Sequence, residues 1–226
     1  MQATLAFDVY GTLIDTHGVV VQLEAYVGSR AGEFSRMWRE KQLEYSFRRG
    51  LMRAYADFRV CTADALEYTR RVFDIALDEE ARQSLLGAYA VLPAFGDVED
   101  GLSRARELGF RMLAFSNGVP DAVEALLTHA GIRHFFEDVV SVDEVKTFKP
   151  DPAVYRHFLE RAGAAAADSW LVSSNPFDVI GAISSGMRAV WVRRSSGIVF
   201  DPWGIEPTIV IDSLSALADG VAGYRT

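Results

Sequence analysis

An apolar run, Leu5-Ala6-Phe7, stops at a single carboxylate, Asp8, and is followed by Val9-Tyr10-Gly11-Thr12. The pattern predicts a buried strand that ends in a tight turn, with the acid at the strand's carboxyl end. In an open α/β sheet that edge is where ligands bind. Turns also favour Asp for local reasons, so this stretch alone leaves a second reading of Asp8 as a turn or cap residue. The choice depends on whether further polar groups reach the same edge.

The chain changes character after Asp15. Residues 19–27 carry a helical apolar rhythm ended by Gly28, and 31–49 place Phe34, Met37, Trp38 and Tyr45 at helical spacing. Thr62 and Asp64 are expected to open a third helix, and Asp78 to cap a fourth that runs to about Leu92. No strand is expected between Thr16 and Leu92, which makes this stretch an all-helical insertion of roughly 80 residues. From Pro93 onward strands and helices alternate. Strands are expected at 110–115, 139–140, 170–172, 189–192 and 208–211, and helices at 98–108, 119–130, 152–162, 180–185 and after Asp212. Repeated strand–turn–helix units predict an α/β fold: a Rossmann-like parallel sheet core with helices on both faces. The core would comprise residues 1–15 and 93–226. Residues 16–92 would form a helical cap domain inserted directly after the Asp8 turn, and so placed over the sheet's carboxyl edge.

Composition removes several classes. A net charge of −8 without a cluster of Lys and Arg argues against nucleic acid as a partner. One cysteine, Cys61, allows no internal disulfide. There is no signal-peptide pattern at the start and no apolar stretch near the ~20 residues that cross a bilayer. The expectation is a soluble cytoplasmic protein with no membrane partner. No Gly-x-Gly-x-x-Gly or Gly-Lys-Ser/Thr loop points to a nucleotide. The four histidines are scattered, without metal-ligand spacing.

Three expected strands end in polar clusters: Asp8, then Ser116-Asn117, then Ser173-Ser174-Asn175 with Asp178. Lys149-Pro150-Asp151-Pro152 lies between the last two. Each cluster alone is also an ordinary helix cap. As an ordered set they resemble the four motifs of the haloacid dehalogenase superfamily, matched at Asp8 to Thr12, Ser116-Asn117, Lys149 and the region of Asp178. The resemblance spans nearly the whole chain. Two departures separate it from that superfamily's phosphatases. Their first motif has a second Asp where this chain has Tyr10, and their fourth motif has an extra carboxylate that helps hold Mg²⁺. Tyr10, Trp38-Arg39 and Ser-Ser-Asn-x-x-Asp instead resemble the L-2-haloacid dehalogenase branch, which implies no metal and no other cofactor.

A carboxylate nucleophile suits displacement of halide from saturated carbon, because the resulting ester can be cleaved by water. Asp8 is the candidate nucleophile and Lys149 the cation that keeps it ionised. Backbone N–H groups after Asp8, with Ser116 at a helix start, are candidates for the substrate carboxylate. The resemblance assigns Arg39 and Asn117 to the departing halide, with Phe177 as an aromatic wall. It places Val9, Tyr10, Leu43 and Phe58 around the substrate, and Tyr155 beside the site. Asp178 is the candidate base for the ester's water, placed by Ser173 and Asn175, with Thr12 completing the catalytic set. The implied reaction converts short (S)-2-haloalkanoates to (R)-2-hydroxyalkanoates, with a small anionic haloacid entering and a halide leaving. The resemblance also implies a homodimer. Two alternatives stay open on sequence: a Mg²⁺-dependent small-molecule phosphatase of the same superfamily, and a non-catalytic binding protein on this fold.

Overall fold

The computed structural model describes residues 3–224. Six parallel strands form one sheet in the order β3-β2-β1-β4-β5-β6. They are β1 (Thr4–Asp8), β2 (Arg111–Ser116), β3 (Val139–Ser141), β4 (Ser169–Ser173), β5 (Arg188–Val192) and β6 (Ile209–Ile211). Every residue of β1 is buried. Its side chains alternate between two cores, Leu5 and Phe7 on one face and Ala6 on the other. Alternation of this kind lets a central parallel strand be apolar throughout, since both faces are covered.

Helices α5 (Val98–Glu107), α6 (Pro120–His129) and α9 (Leu217–Gly223) pack on the Leu5 and Phe7 face. Helices α7 (Pro152–Ala162) and α8 (Pro176–Ser184) pack on the Ala6 face. Phe7, Phe115 and Phe158 are fully buried, each contributing about 1.5–3 kcal/mol by leaving water. Strand order reverses between β1 and β4, and a crevice opens at such a point. Phe7 pairs with Val172, which puts Asp8 and Ser173 side by side at that crevice.

From Thr16 to Ala88 all regular structure is helical: α1 (Val19–Val27), α2 (Ala31–Leu51), α3 (Phe58–Val72) and α4 (Glu79–Ala88), with two single 3₁₀ turns. Its two connections to the sheet lie against each other. Asp15 N–H donates to the Pro93 carbonyl at 2.8 Å, and Phe95 N–H donates to the Leu13 carbonyl at 3.0 Å. The third helix begins at Phe58, earlier than expected, because the Asp57 carboxylate accepts the N–H groups of Arg59 and Val60 and caps it there. Thr62 instead donates its hydroxyl to the Phe58 carbonyl inside the helix. The fourth helix is capped by Asp78 as expected but stops at Ala88. Helix α8 starts at Pro176 rather than Ile180, so Asp178 lies in its first turn. The last helix starts only at Leu217, after a 3₁₀ turn at Leu214–Ala216.

Candidate active site

Asp8 ends β1, and the turn after it is wound tightly. The N–H groups of Thr12, Leu13 and Ile14 all donate to the Val9 carbonyl, and Gly11 takes a φ of +84° that favours glycine. The turn swings the Thr12 hydroxyl back onto Asp8 Oδ2 at 2.8 Å. The same oxygen accepts Asn175 Nδ2 at 2.7 Å and the Ser173 hydroxyl at 3.3 Å. Asp8 Oδ1 faces Lys149 Nζ at 3.3 Å. The two oxygens of one carboxylate are thus unequal. Three donors clamp one, and a cation stands beside the other.

Lys149 is 1 % exposed, and its ammonium has three oxygen partners. Besides Asp8 they are Asp178 Oδ2 at 2.8 Å and the Phe115 carbonyl at 2.8 Å. It also sits 4.0 Å from the centre of the Phe115 ring. Asp178 is fully buried, and the Tyr155 hydroxyl donates to its Oδ1 at 2.8 Å. Burial pushes the Asp178 carboxyl above the ordinary carboxylate range. Lys149 and the Tyr155 hydrogen bond pull it down, and the Asp8 charge pushes it further up. Tyr155 reaches Asp178 only because Gly181 lacks a side chain. A Cβ there would lie 2.4 Å from the Tyr155 hydroxyl oxygen.

Asn117 Oδ1 accepts the Lys149 N–H at 3.0 Å. Its amide nitrogen is therefore the end left for another partner. Ser116 is the last residue of β2, and its hydroxyl accepts the Gly118 N–H at 3.0 Å. The following helix begins at Pro120, so Ser116 braces the turn instead of opening the helix. Arg39, on α2, reaches across from the helical segment and donates to the Tyr10 carbonyl at 3.4 Å. Tyr10 is half-buried, and loss of water pushes its hydroxyl up to about 12. Phe58 is buried and Leu43 half-buried in the second core. Phe177 packs edge-on against Phe47 of α2 at 5.0 Å, on the Lys149 and Pro150 side of the site.

Three supports were not legible as site residues. The Ser174 N–H donates to Thr12 Oγ1 at 2.8 Å, and its hydroxyl donates to the Gly11 carbonyl at 2.8 Å. Gln42 is fully buried, accepts from Arg39 at 3.3 Å and donates to the Tyr89 hydroxyl at 2.9 Å. Arg194 donates to the Thr12 carbonyl at 2.6 Å and pairs with Asp97 at 2.7 Å. Ser174 stood beside residues already singled out. Nothing in the sequence distinguished Gln42 or Arg194 from the other polar residues of the chain. Among the described residues no group of three or more His, Cys, Asp or Glu side chains is placed to hold a metal ion. No described helix is long and apolar enough to cross a membrane.

Comparison with known proteins shows the family. A model of the haloacid dehalogenase-like hydrolases matches residues 3–186. The chain is 38% identical over 215 residues to an (S)-2-haloacid dehalogenase of Pseudomonas sp. (strain YL), covering 95% of this chain and 92% of the relative. It is 35% identical over 218 residues to haloacetate dehalogenase H-2 of Moraxella sp. (strain B), covering 96% and 97%. A solved L-2-haloacid dehalogenase of Xanthobacter autotrophicus, with chloropropionic acid covalently bound, superposes with a TM-score of 0.94 at 32% identity over the full length of both chains. The chain belongs to the haloacid dehalogenase-like hydrolase family.

Proposed function

We infer that the protein is an (S)-2-haloacid dehalogenase that hydrolyses short (S)-2-haloalkanoates to (R)-2-hydroxyalkanoates through an ester on Asp8. The observation that carries the mechanism is the inequality of the two Asp8 oxygens. Oδ1 has the fewer donors and is the attacking atom. It forms the bond to C2 as the carbon–halogen bond breaks, the halide leaves with the bonding pair, and the carbon inverts. Oδ2 becomes the ester's carbonyl oxygen. When water adds to that carbonyl, the developing negative charge falls where the Thr12, Ser173 and Asn175 donors already point. Asp178 takes the water's proton, and as the tetrahedral intermediate collapses the carbon–oxygen bond to the product breaks and that proton passes to the departing oxygen, which leaves as the product's hydroxyl. Cleavage at the carbonyl leaves C2 untouched, so inversion is the net result.

The remaining roles follow from reach. The turn spends the N–H groups of Gly11 to Ile14 on its own carbonyls, so the substrate carboxylate falls to those of Val9 and Tyr10, with Ser116 behind them. Arg39 and the amide nitrogen of Asn117 serve the halide, with Phe177 as a wall; Leu43 and Phe58 enclose the alkyl part. Residues 16–92 act as a cap over a core of 1–15 and 93–226, with Arg39 its contribution to the site. A phosphatase reading loses ground at Tyr10. A phenol pushed up to about 12 is a poor base where those enzymes place an Asp.

Halide release from each enantiomer of 2-chloropropionate, with and without EDTA, tests the reading. Release from the S form alone, indifferent to EDTA, is expected, with (R)-lactate as product. Retained configuration, or turnover that EDTA abolishes, would overturn it. In a single turnover in ¹⁸O-water the label should enter Asp8 before product, and label found only in product would exclude the ester.

A further inference from the structure

The hydroxyl that Thr12 brings to Asp8 has a choice of acceptor. Its single proton can go to Asp8 Oδ2 at 2.8 Å or to the Ser174 hydroxyl oxygen at 3.2 Å. Only the first choice puts a donor on Oδ2, and a shift of the Thr12 backbone away from Asp8 favours the second. Thr12 lies in a turn outside any helix or strand, so no ladder of backbone hydrogen bonds holds it. Its own N–H reaches the Val9 carbonyl at 3.3 Å, the longest of the three N–H groups that share that acceptor. Among the described residues, the one donor to the Thr12 carbonyl is Arg194 Nη2, at 2.6 Å.

Arg194 follows β5, and its side chain is only 12 % exposed. While Nη2 holds the Thr12 carbonyl, Nη1 meets both oxygens of Asp97 at 2.8 and 2.7 Å. The guanidinium also lies over the Phe95 ring, 4.2 Å from its centre. Asp97 is itself held, because its Oδ2 accepts the Leu214 N–H at 2.8 Å and the Ser213 hydroxyl at 3.0 Å. Helix α5 packs so closely there that a Cβ on Gly101 would lie 2.6 Å from the Leu214 carbonyl oxygen. The anchor behind Thr12 is thus stiff, and a planar fork transmits that stiffness in a way a single ammonium does not. We propose that Arg194, seated by Asp97, is a positioning residue for ester hydrolysis: it fixes the Thr12 peptide so that the Thr12 hydroxyl donates to Asp8 Oδ2 and not to Ser174. The proposal rests on the function inferred above and adds a residue pair to it. Its effect falls on the second step, where negative charge develops on Oδ2.

The test is a cycle of Arg194→Lys, Thr12→Val and the two combined, with Asp97→Asn as an independent perturbation of the anchor. In a single turnover of (S)-2-chloropropionate, halide release reports ester formation and lactate release reports hydrolysis. Arg194→Lys should slow hydrolysis about 10- to 100-fold and leave formation within about twofold of the parent. At steady state kcat and KM should fall together while kcat/KM holds, because the ester accumulates. Thr12→Val should slow hydrolysis at least as much. In that background Arg194→Lys should add nothing, since its effect passes through a hydroxyl already gone. Effects that multiply in the double variant, or a kcat/KM that falls with kcat, would make Arg194 a structural support alone and overturn the proposal. Crystal structures of Arg194→Lys and Asp97→Asn read the same geometry without chemistry. A Thr12 hydroxyl turned from Asp8 to Ser174 supports the proposal even if the parent protein releases no halide, an outcome that would count only against the dehalogenase reading. A hydroxyl still on Asp8 Oδ2 in both variants refutes it.

Discussion

Replacing Lys149 by Met should expose how the site's charges are balanced. The substitution keeps an unbranched apolar stem over Phe115 and removes the three contacts of Nζ. Asp178, fully buried, would keep the Tyr155 hydroxyl but lose its cation, and the Phe115 carbonyl would lose its donor. Stripping one partner from a buried ion pair costs about 3–5 kcal/mol, because the remaining charge has no water to turn to. With a urea slope of about 2–3 kcal/mol/M, the midpoint should fall by about 1–2 M at pH 8. The sign of the pH dependence follows from the same charges. Lys149 lowers the Asp178 carboxyl, so without it the folded-state value climbs further above the unfolded one. A carboxyl raised on folding contributes its stability in acid and loses it as pH rises through the raised value, at about 1.4 kcal/mol per unit of displacement. The deficit against the parent protein should therefore be smallest in acid and grow toward pH 8. Adding Asp178→Asn removes the stranded charge, and the double variant should be more stable at pH 8 than Lys149→Met alone. Urea melts followed by circular dichroism at pH 5 and pH 8 measure all of this. A midpoint at pH 8 within about 0.3 M of the parent, or a deficit that grows toward acid, would refute the argument.

Asn175→Ala removes the 2.7 Å donor to Asp8 Oδ2 and should slow ester hydrolysis about 10²–10³-fold while sparing its formation. Mass spectrometry of the quenched enzyme should then find the ester accumulated on Asp8. Tyr155→Phe deletes a hydrogen bond that holds the Asp178 carboxyl down, so that carboxyl should rise further. The acid limb of kcat against pH should move to higher pH, and a fall in kcat with an unmoved limb would count against Asp178 as the base.

The sheet was legible because its strands are apolar on both faces and end in polar clusters, and Asp8 and Asn175 stood out as candidates because those clusters follow such strands, whereas Lys149 stood out only through the ordered set of motifs. Helix boundaries were harder to read where two capping residues competed. At the third helix the Thr62–Asp64 pair has the residue types of a cap, yet the Asp57 carboxylate accepts the N–H groups of Arg59 and Val60 and starts the helix at Phe58. Ser116 was misread for a related reason. A hydroxyl after a strand suits either a helix cap or a turn brace, and the choice depended on Gly118 and Pro120 folding the chain back before the helix begins. Arg194 stayed hidden because its significance is entirely tertiary, and Gln42 because its local contact with Arg39 gains meaning only with the distant Tyr89. Gln42 matters through Arg39 and Tyr89, and Arg194 through Thr12, a residue far from it in the chain.

The unequal oxygens of Asp8 give the enzyme an isotopic memory. In each cycle Oδ1 departs inside the product and the water's oxygen takes its place in the carboxylate, whereas Oδ2 remains in the grip of Thr12, Ser173 and Asn175. If those three donors keep the carboxylate from rotating between cycles, the atom at Oδ2 is the one laid down at synthesis of the chain, however many substrates have passed. Asp8 from enzyme worked for many turnovers in ¹⁸O-water would then carry one heavy oxygen, never two. Loosening the clamp would let the oxygens exchange places and erase the record.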